Sequence, residues 1–187
     1  MTLLFFKRNR RNIRRFLFVL APRDLSLYND SRRKRQERKI GLDYEKFIDI
    51  YNKQDKFAVN GGVRLVKMQA GYAETEADIE DDLTSNFMGS LHGGFIFTMA
   101  DVTAGAAAIG YGETCVTLDA NIHFIRPFTS GKLHAIGRVI HKGRTTCICE
   151  VEIFSEAEKL ISKCTCTMFP TGVKVEEQEA KDRQSHT

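Results

Sequence analysis

The chain lacks any long apolar run. No window within its 187 residues contains the eighteen or more apolar residues that a membrane-spanning helix needs, and the longest run near the start covers residues 16–21. This absence excludes a helix that crosses a bilayer. We therefore expect a protein that is soluble or at most peripheral to a membrane.

Acidic residues are absent before Asp24, whereas basic residues are concentrated there. Residues 1–40 contain thirteen Lys or Arg against three Asp or Glu, a local charge of +10. Because the whole chain carries +4, the remaining residues carry −6. A slightly acidic remainder argues against a spread basic face that binds nucleic acid. We expect no nucleic-acid partner.

The basic leader has two main interpretations. An Arg-rich, acid-poor beginning is typical of mitochondrial transit peptides, and Phe6, Ile13, Leu17 and Leu20 would share one helical face. A plain basic extension, disordered or translated from an upstream start, explains the composition equally well, and membrane-surface or nuclear targeting is a further alternative. We expect residues 1–40 to lie outside the folded domain and the protein to be mitochondrial or cytoplasmic.

The five cysteines lack the spacing of two to four residues that is typical of structural zinc sites. Four of them form two pairs, Cys147 with Cys149 and Cys164 with Cys166, inside alternating segments. A zinc site made of these four thiolates is one interpretation. The alternation instead predicts that both members of each pair face one side of a strand as small buried apolar groups. That use of cysteine suits a reducing compartment.

Hydrophobic periodicity predicts one short helix, one long helix and six strands. The short helix covers residues 43–53 with Asp43 as its cap, and Asn60, Gly61 and Gly62 form a turn. The strands are expected at residues 63–70, 72–79, 115–125, 132–141, 144–154 and 160–169. Because short turn segments separate the last four strands, they are predicted to form an antiparallel meander.

Alternation within residues 115–125 predicts a strand with two different faces. One face would carry Leu118, Ala120, Ile122 and Phe124, and the other Thr117, Asp119, Asn121 and His123. From Lys174 onward the chain is polar. We expect domain boundaries at residues 1–40 for the leader, 41–172 for the folded domain and 173–187 for a polar tail.

Residues 91–111 are small or apolar on every helical face, which predicts a buried helix. At ~1.5 Å per residue this helix would span roughly 30 Å, so the strands must wrap around it. The predicted class is α+β, a long central helix enclosed by a curved antiparallel sheet of five to six strands.

A polar motif precedes and enters this helix. It reads Asn86-Phe-Met-Gly89-Ser-Leu-His92-Gly93-Gly94, followed by Ala100-Asp101. With the buried helix, the strand at residues 116–121, the Arg126-Pro127 step and the Gly143-Arg144 turn, it resembles the hotdog-fold acyl-CoA thioesterases. The resemblance covers residues 45–170 and is nearest to the phenylacetate-pathway (PaaI-like) branch and that of thioesterase superfamily member 2.

The resemblance implies a role for each polar residue of the motif. Asn86 and the backbone amide of Gly93 would polarise the thioester carbonyl, and Asp101 would activate water with help from Thr117. Asp119 is an alternative to Thr117. His92 would position the turn beside Gly94. The reaction needs no metal or other cofactor.

Elementary chemistry favours the same residues, although each has a structural alternative. Backbone amides at a helix start are unpaired donors, and glycine lets a thioester approach them closely. The glycines alone could simply allow a tight turn. An acid within an apolar helix must be paired or functional, so Asp101 is either a base or a structural hydrogen-bonding group. Asn86 alone would be a turn or capping residue.

Helix geometry predicts a homodimer. Gly93 and Asp101 lie eight residues apart, so their positions along the helix axis differ by ~12 Å. One subunit therefore cannot bring both to one thioester, whereas two antiparallel central helices would create two equivalent shared sites. The resemblance also implies dimers, and we expect these to pair into a tetramer. Arg126, Lys142 and Arg144 are candidates for binding the CoA phosphates, or are solvated hairpin charges.

Two other functions compete with the thioesterase hypothesis. A hotdog hydratase or dehydratase would act on the acyl chain, but its usual pairing of a catalytic His with an acid is not found in this sequence. A non-catalytic acyl-CoA-binding module or an assembly partner is the other alternative. The acyl group itself is not indicated by the sequence.

Overall fold

A computed structural model describes residues 40–80 and 84–176. It contains three helices and six strands within these ranges. In chain order they are α1 (Tyr44–Gln54), α2 (Lys56–Asn60), β1 (Arg64–Gln69), β2 (Tyr72–Ile79), α3 (Gly93–Ile109), β3 (Glu113–Phe124), β4 (Gly131–Lys142), β5 (Cys147–Ser155) and β6 (Leu160–Lys174). The predicted leader, residues 1–40, lies almost entirely outside the described residues. No helix among those described is long and apolar enough to cross a membrane.

The six strands form one antiparallel sheet in the order β1-β2-β4-β5-β6-β3. The prediction of six strands is confirmed, but the predicted meander of the last four is wrong at its first step. β3 does not pair with β4; it lies at the sheet edge beside β6. The connection is not a hairpin because Phe128 packs against the core and its carbonyl accepts the Leu91 N–H at 2.7 Å.

Helix α3 is the central element and contacts all six strands. Nine of its residues are buried, among them Met99, Ala100, Ala104, Ala106 and Ala107 at 0% exposure, as its apolar character on all faces predicts. The buried hydroxyl of Thr103 donates to the Met99 carbonyl at 2.6 Å and is 2.7 Å from the Thr75 hydroxyl. Its polar atom is therefore satisfied inside the core.

The two short helices cover one side of this core. Asp43 caps α1 by accepting the Lys46 N–H at 3.1 Å, which confirms the predicted helix and its cap. Asn52 ties α1 to β1 through hydrogen bonds with the N–H and C=O of Leu65, at 2.9 and 2.8 Å. Helix α2 was not predicted from the sequence; Asp55 caps it by accepting the Ala58 N–H.

The cysteine pairs face the core. Cys147, Cys149, Cys164 and Cys166 are free thiols and are at most 1% exposed. Cys149 lies opposite Cys166 on the neighbouring strand, and the sulfurs of Cys164 and Cys166 are 3.5 Å apart. The prediction that both members of each pair share a buried strand face is confirmed.

The last strand extends beyond the boundary expected at residue 172. β6 ends at Lys174, and Val175 is 3% exposed within the core. Its amide donates to the carbonyl of Gly112 at 3.2 Å. The folded domain therefore includes the first residues of the predicted tail, 173–175.

Candidate functional site

Asp101 lies on the central helix and is partly buried. Thr117 of β3 donates a hydrogen bond from its hydroxyl to the Asp101 carboxylate at 2.6 Å. Within residues 40–80 and 84–176, no Lys or Arg forms an ion pair with this carboxylate. Asp101 is thus oriented by a neutral hydroxyl, and none of the described cations competes for its oxygen atoms.

A β-bulge brings Thr117 to the helix. The register of β3 against β6 shifts between Thr117 and Asp119, so Leu118 is an extra residue and is 58% exposed. Before the bulge, Cys115 and Thr117 face α3; after it, Ala120 and Ile122 do. The predicted faces are therefore right for Ala120 and Ile122 but wrong for Thr117 and Leu118, because strict alternation put Thr117 opposite Ala120 and placed Leu118 in the core.

Two further groups lie near the Asp101 carboxylate. Burial raises the pKa of the Cys115 thiol to about 12, with smaller contributions from Cys147 and from the negative charge of Asp101. Burial, the neighbouring Asp55 and the charge of Asp101 together raise the pKa of the Tyr51 phenol. The sequence does not single out Tyr51, because its place near Asp101 depends on how α1 packs.

The start of α3 presents a free amide. His92 is the N-cap, and its Nδ1 accepts the Gly94 N–H at 2.9 Å, so the neutral ring carries its proton on Nε2. The carbonyl of His92 accepts the Phe95 and Ile96 amides. In the described part of the chain, the Gly93 N–H has no acceptor. Gly93 therefore offers a donor at the positive end of the helix dipole.

Asn86 lies in the same small loop as this amide. Ser85 bridges to Leu91, and the His92 N–H donates to the Thr84 carbonyl at 2.7 Å. The Asn86 Oδ1 accepts the amides of Met88 at 2.9 Å and Ser90 at 3.2 Å. The side-chain oxygen of Asn86 therefore has the turn or capping role that was its structural alternative. Because these bonds fix the amide plane, its Nδ2 remains as an oriented donor.

Strand β3 runs antiparallel to α3 along the whole site. Thr117 lies beside Asp101, whereas Phe124 lies near the start of the helix, where a Cβ on Gly93 would be 3.2 Å from its ring. Gly93 and Asp101 remain eight residues apart on one straight element, ~12 Å along its axis. The candidate residues therefore lie in two places. We call Asn86 and the Gly93 amide, at the start of α3, the donor half-site, and Asp101 with Thr117, in its middle, the carboxylate half-site.

The three cations proposed to bind phosphate lie at two different ends of the domain. Arg126 follows β3 near the start of α3 and donates from Nη1 to the Leu160 carbonyl at 2.5 Å. At the opposite end, the Lys142 ammonium is 4.9 Å from the centre of the Tyr111 ring, and Arg144 is exposed in the β4–β5 turn. A single chain does not bring these three side chains together.

A cavity of about 710 Å³ opens beside the Gly93 amide. His92 and Gly94 line one end, Phe95 and Thr98 continue along α3, and α2 forms the opposite wall. Asp101 and Thr117 do not line this cavity. Asn86 and Gly93 do not line it either, so the cavity adjoins the donor half-site through His92 and Gly94.

Comparison with known proteins identifies relatives over this region. The family model of the thioesterase superfamily matches residues 88–162, which include the helix start, Asp101 and Thr117. Acyl-coenzyme A thioesterase PaaI of Escherichia coli is 28% identical over 54% of this chain and 72% of its own length. The solved structure of E. coli PaaI covers 67% of this chain and 91% of that chain, with a TM-score of 0.64 and 25% identity.

Two other relatives are similar to this chain at higher identity. The 1,4-dihydroxy-2-naphthoyl-CoA hydrolase of Listeria monocytogenes is 32% identical over 56% of this chain and 88% of its own length. A hypothetical thioesterase protein of Streptococcus pneumoniae, solved with coenzyme A, is 31% identical with a TM-score of 0.57, over 60% of this chain and 90% of that chain. These similarities include the central helix with its wrapped sheet.

Two further structures of a hypothetical thioesterase protein from S. pneumoniae carry single replacements. In one an aspartate and in the other a threonine is changed to alanine, and the two positions are sixteen residues apart. Asp101 and Thr117 are also sixteen residues apart. The spacing of the hydrogen-bonded pair in this chain is thus the same as that of the residues replaced in that protein.

Proposed function

Because the chain belongs to the thioesterase superfamily and is a thioester hydrolase with the hotdog fold, we propose that it hydrolyses fatty-acyl or aryl-acyl CoA to the free acid and CoA. The observation that supports this proposal best is the hydrogen bond of 2.6 Å from Thr117 to the Asp101 carboxylate, which forms no ion pair with a described residue. A carboxylate without a cationic partner, held on an apolar helix, suits a general base.

The donor half-site would bind the thioester carbonyl oxygen. The Gly93 N–H and the Asn86 Nδ2 are two donors from one loop, and the bonds made by His92 and by the Asn86 Oδ1 fix their directions. Negative charge develops on the carbonyl oxygen as water adds, so pre-oriented donors stabilise the transition state more than the substrate. Gly94 places no side chain between the amide and an incoming thioester.

In the proposed reaction, Asp101 takes a proton from water while the water oxygen attacks the carbonyl carbon. The tetrahedral intermediate then collapses, the C–S bond breaks, and CoA leaves as its thiolate. The proton held by Asp101 returns to the thiolate sulfur, which regenerates the carboxylate. Thr117 would hold the carboxylate in the direction of the water throughout.

We propose that two subunits share each site. The Gly93 amide and Asp101 of one chain are ~12 Å apart along the helix, too far to contact one carbonyl group. β3 is an edge strand of the sheet, and three of its apolar side chains are more than half exposed: Val116 (51%), Leu118 (58%) and Phe124 (55%). An edge strand with exposed apolar side chains favours pairing with a second copy. Antiparallel helices would oppose Gly93 to the Asp101 of the other subunit, and such dimers would pair into tetramers.

The same arrangement would bring the separated cations together. Arg126 lies at the end of the domain where α3 starts, and Lys142 and Arg144 lie at the end where it stops. In an antiparallel dimer, the end of one subunit that carries Lys142 and Arg144 faces the end of the other subunit that carries Arg126. We propose that CoA phosphates bind between them, which supplies basic groups to a domain of net negative charge.

Thiol release from a panel of acyl-CoAs tests the proposal. Asp101→Asn should lower kcat by at least ~100-fold, because the amide cannot accept the proton from water. Thr117→Val should lower kcat by roughly 10- to 100-fold, which corresponds to the loss of one hydrogen bond to a charged group. Binding of acyl-CoA without any release by the unmodified protein would instead favour a non-catalytic acyl-CoA-binding module.

A further inference from the structure

We propose that the cavity beside α2 holds the acyl chain of the substrate, and that Gly61 and Phe57 determine its length. The inference depends on the proposed function for the identity of the ligand, and it assigns that ligand to one wall of this chain. The cavity volume of about 710 Å³ is in the range of ordinary small-molecule sites, which is roughly 300–1,000 Å³.

The cavity begins where the thioester would lie. His92 and Gly94, which line its end, flank the free Gly93 amide on both sides. From there Phe95 and Thr98 extend the cavity along α3, towards the middle of the helix. A carbonyl bound by the Gly93 amide would lie next to this end of the cavity, and one of its two substituents would enter the space in the proposed arrangement.

The lining favours an apolar substituent over the CoA moiety. Phe57, Val63 and Phe95 supply carbon surface. The two polar side chains nearest the thioester are already occupied, since Thr98 donates to the Gly94 carbonyl at 2.9 Å and His92 accepts the Gly94 amide. Among the described residues of the lining, Lys56 is the only one with a permanent charge. A CoA chain with its phosphates would need several cations there.

The adjacent cavity has the opposite character. It measures about 370 Å³ and is lined by Glu76, Asp78 and Glu80, with Arg64 as a cation. Three carboxylates in one small cavity repel phosphate groups. The CoA chain is therefore not expected to leave the thioester through this side, which leaves the outer edge near Arg126 for it.

Helix α2 is a defined wall that the chain holds in place. Asp55 caps it by accepting the Ala58 N–H, and the Asp55 amide donates to the Tyr51 carbonyl of α1 at 3.1 Å. Phe57 is 78% exposed at the cavity mouth, so its ring would lose contact with water when an acyl chain covers it. Gly61 ends α2, and a Cβ there would be 3.6 Å from the Phe95 ring, an ordinary contact.

These contacts define two variants with different effects on the dependence on chain length. Gly61→Leu adds a side chain next to Phe95 without a positive φ or a severe clash, and it shortens the space. Phe57→Ala removes apolar surface from the mouth, and because Phe57 is largely exposed the fold should persist. Phe169→Ala is the matched control, since Phe169 is 40% exposed on β6 and lies outside the lining.

The test measures kcat/KM for straight-chain acyl-CoAs from acetyl to palmitoyl. In the unmodified protein kcat/KM should rise with chain length, by up to about fourfold per methylene, until the cavity is filled. Gly61→Leu should end this rise at least two carbons earlier, so that the ratio of kcat/KM for long chains to that for acetyl-CoA falls. Phe57→Ala should reduce the gain per methylene, and Phe169→Ala should change neither quantity.

Binding of non-hydrolysable acyl-CoA thioethers separates this proposal from the proposed function. If no thioester is hydrolysed but the dependence of Kd on chain length moves with Gly61→Leu, the acyl cavity is supported and the hydrolase assignment of this site fails. If hydrolysis proceeds and Gly61→Leu leaves both profiles unchanged, or scales all chain lengths equally, the acyl cavity is wrong. Equal scaling would instead place the CoA moiety in this space.

Discussion

Glu74 on β2 illustrates how a single acid can be stabilised by its surroundings. Its carboxylate accepts hydrogen bonds from Lys67 at 2.8 Å, from His134 at 2.9 Å and from the Tyr72 hydroxyl. Burial alone would raise the pKa of Glu74, but the hydrogen bonds lower it below its ordinary value of 4.5. The side chain is 16% exposed, so the charged form is favoured by its partners and not by water.

We predict a pH-dependent loss of stability for Glu74→Gln. A lowered folded-state pKa contributes stability that is complete above the unfolded pKa and disappears as the pH falls through the folded value. The variant should therefore lose about 1–2 kcal/mol of unfolding free energy at pH 7. Urea unfolding at a series of pH values should show this difference shrinking below pH 4.5.

The neighbouring Glu76 serves as the control for that experiment. Its carboxylate is 42% exposed and 3.9 Å from Lys132, so Glu76→Gln should change stability by no more than about 0.5 kcal/mol. If the Glu74→Gln difference stays constant from neutral to acidic pH, the hydrogen-bonded carboxylate does not contribute in the way described.

Some site residues could be predicted from the sequence, whereas the orientation of others could not. The motif from Asn86 to Gly94 and the acid at Asp101 are recognisable from the sequence alone, because their spacing resembles that of a known family. The face of Thr117 could not be predicted by alternation, since the bulge at Leu118 changes the phase of the strand within one residue. Nothing local in the sequence marks that bulge; it depends on how β3 meets β6.

At the scale of elements, the packing of α3 against β1 depends on one glycine. A Cβ on Gly110 would lie 2.2 Å from the Gln69 carbonyl oxygen and 2.8 Å from its carbon, both backbone atoms. The end of the helix therefore approaches the sheet more closely than any other residue type allows. The Tyr44 hydroxyl donates to the Gly110 carbonyl at 3.0 Å, so α1 is attached to the same point.

We predict opposite stability effects for two Gly→Ala changes at α3. Gly110→Ala should lower the free energy of unfolding by about 3 kcal/mol or more, because backbone atoms have to move. Gly105→Ala should raise it by up to about 1 kcal/mol, since the nearest atom to its Cβ is the Met168 methyl at 4.0 Å and alanine favours a helix interior. Urea unfolding midpoints measure both; a tolerated Gly110→Ala would contradict the close approach.

The elements were predictable to different degrees for a physical reason. The central helix, the α1 cap and the β4–β5 and β5–β6 hairpins depend on local periodicity and turn residues, and these predictions are confirmed. The position of β3 beside β6 depends on long-range pairing, from Phe124 with Ser162 to Glu113 with Lys174, which no local turn signal indicates. The short α2 was missed because five residues give little periodicity.

At the scale of the whole molecule, the proposed mechanism requires a second copy of the chain. Gly93 and Asn86 form a donor pair at one end of α3, and Asp101 with Thr117 lies ~12 Å further along. A single chain can thus bind a thioester carbonyl or position a water, but not both at one carbon. The proposed dimer follows from this distance and not from the exposed edge strand alone.

The two half-sites can be damaged separately by near-isosteric changes. Asn86→Asp retains the Oδ1 that accepts the Met88 and Ser90 amides, and replaces the Nδ2 donor by an acceptor. Asp101→Asn retains an oxygen for the Thr117 hydroxyl and removes the base. Each variant alone should be inactive and folded, which circular dichroism and thermal melts would verify.

Mixing these variants after subunit exchange tests the shared site. A heterodimer of Asn86→Asp with Asp101→Asn contains one site with both changes and one with neither, so an equal mixture should regain about one quarter of the unmodified specific activity. Purified heterodimers allow a sharper comparison. A second heterodimer carries both changes in one chain and none in the other, and each of its shared sites then contains one change. If each chain carried a complete site of its own, that second heterodimer would be half active and the first inactive. The two heterodimers have the same composition and the same substitutions, so the difference between their activities reports only which chain supplies the base to each thioester.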